Sequence, residues 1–138
     1  LPSATGRSYW SSFRESFRTF LGGDAAEIAV VGVEEFTVDD ATFAAVAVTR
    51  LGNESELIVR STESGWLLDM VATAGPALSV QIRRLVAAIV ETGDDDIAFD
   101  YATMAVESLG AALQRDPGNR SLELEVEAIE DLPIDLSR

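Results

Sequence analysis

The hydrophobic period changes once along these 138 residues, and that change constrains the fold class more than any other feature. As far as residue 72 apolar residues alternate in short runs separated by tight-turn residues; after Gly75-Pro76 they recur at helical spacing. Residues 27–36 (EIAVVGVEEF) are rich in β-branched side chains, and Asp39-Asp40 punctuates them. In residues 41–51 (ATFAAVAVTRL), Phe43, Ala45, Ala47 and Thr49 fall on one face and Val46, Val48 and Arg50 on the other. Gly52-Asn53 is a hairpin signal. Residues 55–62 (SELIVRST) alternate Leu57 and Val59 against Glu56, Ile58 and Arg60. Glu63-Ser64-Gly65 is a second tight turn, and residues 66–72 (WLLDMVA) return from it. Consecutive short runs joined by tight turns predict a four-stranded antiparallel meander.

Helical spacing flanks this meander. Trp10, Phe13, Phe17 and Phe20/Leu21 share one helical face within residues 9–21, and Gly22-Gly23 stops the run. So many aromatics on one stripe call for a broad packing partner, and the sheet is the expected one. Downstream, Pro76 suits a first helical turn, and Leu78, Ile82, Leu85, Val86, Ile89 and Val90 recur up to Gly93. Asp94-Asp95-Asp96 opens another helix, with an expected apolar stripe of Ile97, Tyr101, Met104/Ala105, Leu109, Ala112 and Leu113. The short loop between the two runs predicts an antiparallel helical hairpin. Leu122, Leu124 and Val126 then alternate with Glu123, Glu125 and Glu127, which reads as a short strand with an acidic outer face or as a tail. The expectation is a single α+β domain: an N-terminal helix on a four-stranded antiparallel sheet (8–72), a helical hairpin (76–116) and an acidic C-terminal segment with a short strand (120–138).

Composition removes whole classes of chemistry. The chain has no cysteine and no histidine. Disulfides, thiolate metal sites, cysteine nucleophiles, histidine bases and Ser-His-Asp triads are therefore impossible within it. Twenty-four acids against ten bases, all arginine, give a net charge of −14. Such a surface repels phosphate backbones and anionic lipid, so no nucleic-acid partner is expected. The longest purely apolar run, residues 85–90, is far short of the roughly 20 residues a spanning helix needs, so no membrane insertion is expected of this segment. The chain begins at Leu1 without an initiator Met, which reads as a processed or trimmed chain. It would be cytoplasmic, or extracytoplasmic after removal of an N-terminal segment.

Few residues invite a chemical reading. Asp69 interrupts an apolar run. A carboxylate enclosed by apolar surface can serve as a general acid or base, with Tyr9 or Tyr101 as a polar partner. It can equally be paired with Arg60 or Arg50 of a neighbouring strand. Asp94, Asp96 and Asp100 bear carboxylates suited to calcium or magnesium, but without the spacing of an EF-hand. The structural alternative is an N-cap and favourable charge at a helix start. Of the adjacent pair Arg83-Arg84, one should face solvent while the other neutralises nearby acids at the core edge. No cofactor is expected.

An aromatic-striped helix followed by a meander ending in Gly65-Trp66-Leu67-Leu68-Asp69 resembles the cystatin-like, nuclear-transport-factor-2-like superfamily, and in composition the small bacterial proteins of actinobacterial type. The resemblance covers residues 8–72. It implies a curved sheet with a cone-shaped pocket that binds a small ligand or a protein. Enzymes of that superfamily commonly use an Asp–His pair, and this chain has no His. The first expectation is therefore a non-enzymatic binding or protein-interaction domain, with a protein, a small molecule or a second copy as partner. The alternative is a small pocket enzyme or ligand carrier using Asp69. A third, calcium-dependent reading rests on the aspartate cluster alone.

Overall fold

A computed structural model describes residues 28–137. The helix expected at residues 9–21 lies outside them. The chain divides into two compact units at Thr73/Ala74, close to the change of hydrophobic period. Within the described residues strands come first and helices follow, giving an α+β chain with a four-stranded antiparallel sheet.

The sheet contains β1 (Ile28–Val38), β2 (Ala41–Arg50), β3 (Asn53–Thr62) and β4 (Gly65–Leu68), ordered as in the sequence. Local turn chemistry sets this meander. Asp39 takes a positive φ of 52° between β1 and β2, a conformation aspartate tolerates better than most residues. Between β2 and β3 the turn falls on Leu51-Gly52, with φ of 51° and 81°. Positive φ at both central residues matches the twist of the flanking strands. After β3, the Thr62 hydroxyl accepts the Ser64 amide at 3.1 Å and donates to the Gly65 carbonyl at 2.8 Å. In β1 the register shifts between Val30 and Gly32, so Val31 is the extra residue of a bulge.

Leu51 is the misfit in this set. It is 78% exposed, so it contributes little burial, yet it holds a left-handed conformation that costs a β-carbon-bearing residue about 1 kcal/mol. Leu51→Asn creates the Asn-Gly pair that such turns favour, and should raise unfolding stability by about 1 kcal/mol. A melting temperature unchanged or lowered would show that the turn is not strained there.

Pleating carries Ala44, Val46, Val48, Leu57, Val59 and Trp66 into one buried cluster, with Val30 and Leu68 partly buried against it. Phe43, Ala45 and Ile58, on the other face of the same strands, are buried as well. The centres of β2 and β3 are therefore apolar on both sides, where a sheet with one solvated face would alternate.

The expected fourth strand, 66–72, is shorter than its pattern suggested. β4 ends at Leu68, and a short helix α1 (Met70–Ala74) follows. The reason is visible at Ile58 of β3. Its carbonyl accepts the Asp69 amide at 2.8 Å, and its own amide donates to the Thr73 hydroxyl at 2.9 Å. Thr73 replaces the ladder partner that a longer β4 would have supplied, so the chain can turn without orphaning the backbone of β3.

The second unit holds α2 (Pro76–Glu91), α3 (Asp95–Arg115) and α4 (Arg120–Glu130), which pack pairwise. Pro76 sits in the first turn of α2, and Gly93, at φ 84°, follows its end. Asp94 caps α3 by accepting the Ile97 amide at 3.1 Å. The hairpin of α2 and α3 matches the reading from sequence. The expected strand at 122–126 does not exist; those residues belong to α4. Leu122, Val126 and Ile129 lie at i, i+4 and i+7, and Leu122 and Ile129 are fully buried. The Asn119 side chain accepts the Leu122 amide at 3.2 Å, and Arg120 pairs with Glu123 at 3.0 Å. Cap, apolar stripe and ion pair all act at helical spacing, and together they outweigh six residues of alternation.

Candidate functional site

Asp69 follows β4 and precedes α1, so its side chain reaches both. Its Oδ1 accepts the Ala72 amide at 2.9 Å, capping α1. Its Oδ2 faces Arg60 Nε at 3.4 Å, with both side chains mostly buried. Arg60 also lies 4.8 Å over the ring of Phe43, which stacks on Phe36 at 5.7 Å between centroids. The run Phe36–Phe43–Arg60–Asp69 thus crosses β1, β2 and β3 to the start of α1. Of the two readings that the sequence left open, the structure contains the arginine pair, and Arg60 is the partner. Both Asp69 oxygens have hydrogen-bond work within the fold. Tyr9 lies outside the described residues, and Tyr101 is on α3 of the other unit.

This arrangement predicts a stability role. Asp69→Ala removes a cap worth about 1 kcal/mol and strips a partly buried arginine of a carboxylate, for a total loss of about 2 kcal/mol. Asp69→Asn keeps an oxygen for the Ala72 amide and should recover about half of it. Urea unfolding of both variants checks this. An alanine variant as stable as the parent would mean that neither contact matters.

The aspartate cluster is spread along one helix start. Asp94 is the N-cap of α3, Asp96 lies in its first turn, and Asp100 is exposed one turn further on. Negative charge there complements the positive end of the helix. Among the described residues no three carboxylates converge as a metal site. Arg83 pairs with Glu125 of α4, whereas Arg84 is exposed. One depression is lined by Asp95, Pro133, Ile134 and Asp135, all in the helical unit.

The surface of α3 departs from its expected pattern. The buried stripe is Ala98, Ala102, Ala105, Leu109 and Ala112. Ile97, Tyr101 and Met104, expected to face inward, are 47%, 50% and 56% exposed. The helix is rotated by about one residue, or 100°, from the orientation that burying its largest side chains would give. Small residues let helix backbones approach closely, so the packed bundle takes the alanine face. The larger side chains at i, i+4 and i+7 are left as an apolar ridge about 10 Å long. Asp96 and Asp100 flank it, and from Asp94 to Glu107 the helix start carries five acids and no base. No helix among the described residues is long and apolar enough to cross a membrane. No family model matches this chain, and neither does any curated protein or solved structure.

Proposed function

We propose that this chain is a non-enzymatic protein-interaction domain and that the outer face of α3 makes the contact. The observation that carries the reading is the ridge of Ile97, Tyr101 and Met104, three large apolar side chains half-exposed on consecutive turns. Grouped apolar exposure of this kind marks interaction surfaces more often than single exposed residues do. Tyr and Met are also among the side chains enriched where proteins meet. The cystatin-like resemblance remains part of the proposal for the sheet unit. It is supported by the meander order and by Trp66 in the sheet core. The alternative, a pocket enzyme or carrier built on Asp69, is weakened by the engagement of both its oxygens with Ala72 and Arg60.

Site-specific photo-crosslinking tests the proposal. Tyr101→p-benzoylphenylalanine, irradiated in cells that make the protein, should give a discrete protein adduct. The same group at exposed Ser121 of α4 should not, and Ile97→Asp should abolish the Tyr101 adduct. No adduct at 101, or equal adducts at both positions, would refute it.

A further inference from the structure

The charge around the α3 ridge specifies the chemistry of what can cover it. We infer that the occupant is a basic amphipathic segment of a partner protein, an apolar stripe edged with arginine or lysine; this rests on the interaction-domain reading above. Docking brings the partner's flanks against the helix start, where Asp94, Asp95, Asp96, Asp100 and Glu107 are met by no base. Asp94 and Asp100 are exposed, so their charge projects into solvent beside the ridge. A second copy would bring the same acids and another net −14 against this face. Nucleic acid and anionic lipid are repelled for the same reason. A basic flank is drawn in over a distance of about one Debye length, roughly 8 Å at physiological salt, and the ridge then supplies the short-range apolar contact. Helix-in-groove and helix-on-helix recognition use anchors at i, i+4 and i+7, the spacing that Ile97, Tyr101 and Met104 offer.

A synthetic peptide of about 18 residues, with leucine on one helical face and lysine on the other, is a suitable probe, long enough for several turns. Fluorescence anisotropy against the full chain at physiological salt should show it binding at least about tenfold more tightly than a scrambled peptide of the same composition, since loss of a buried apolar anchor commonly costs more than 1 kcal/mol. Ile97→Ser with Met104→Ser should erase that preference while leaving the residual, salt-sensitive binding of both peptides. Asp100→Asn should weaken both peptides without erasing it. Circular dichroism of each variant confirms that the helices remain. Equal binding of the two peptides, or a preference that survives the double serine variant, overturns the inference, because attraction would then be charge alone. The crosslinking experiment separates the two levels. A partner captured at position 101 through a segment without basic residues removes this inference and leaves the interaction reading standing. No adduct at 101 removes both.

Discussion

Leu109→Ala should cost the helical unit about 3–5 kcal/mol, the upper part of the range for deleting a buried leucine. Leu109 is fully buried and is the largest side chain that α3 places in its core. Around it on the same face stand Ala105 and Ala112, with Ala98 and Ala102 one and two turns further back. Alanine has no rotamer to swing into a hole, so the cavity stays open and its full cost is felt. Urea denaturation should show a lower midpoint, and amide exchange should accelerate at Val86, Leu109 and Leu122. A loss below about 1 kcal/mol would mean that the bundle collapses onto the site, contrary to the close packing that an alanine stripe implies.

Phe43→Ala should be of similar size in the sheet unit, about 3–5 kcal/mol. The ring is fully buried, stacks on Phe36 and lies beneath the Arg60 guanidinium. Alanine loses the burial, the aromatic stack and the cation–π contact together, and these share partners, so their separate values do not add. Phe43→Leu separates them. It keeps most of the apolar volume and should lose only about 1–2 kcal/mol, chiefly the ring contacts. If leucine were as damaging as alanine, shape at that position would outweigh volume. If alanine were nearly neutral, the run from Phe36 to Asp69 would not be a structural element at all.

The asymmetry between these sites follows the way each was written in the chain. Phe43 was readable as a strand residue, although its burial was not, because alternation assigns a face and says nothing of depth. Leu109 was readable as a core residue by its spacing. Ile97, Tyr101 and Met104 were read with it and belong elsewhere. Two apolar stripes run side by side on α3, one of large residues and one of alanines, and both satisfy a helical period. Had alanine been weighed for close approach rather than for hydrophobicity, the inner stripe would have competed from the start.

By itself the sequence determined what is local. The four strand segments, the glycine-bearing turns after β2 and β3, the Pro76 start and the Asp94 cap all depend on residues a few positions apart, and the chain carries them at those positions. The tertiary structure decided what depends on partners distant in sequence. It ended β4 at Leu68 because Thr73 could satisfy the Ile58 backbone. It gave Asp69 to Arg60 and to the Ala72 amide. It made residues 120–130 helical because Leu122 and Ile129 find burial only at that spacing. Finally, it turned the alanine face of α3 inward. Hydrophobic period fixes which residues can share a face, but only the shape of the opposing surface selects the face that is buried.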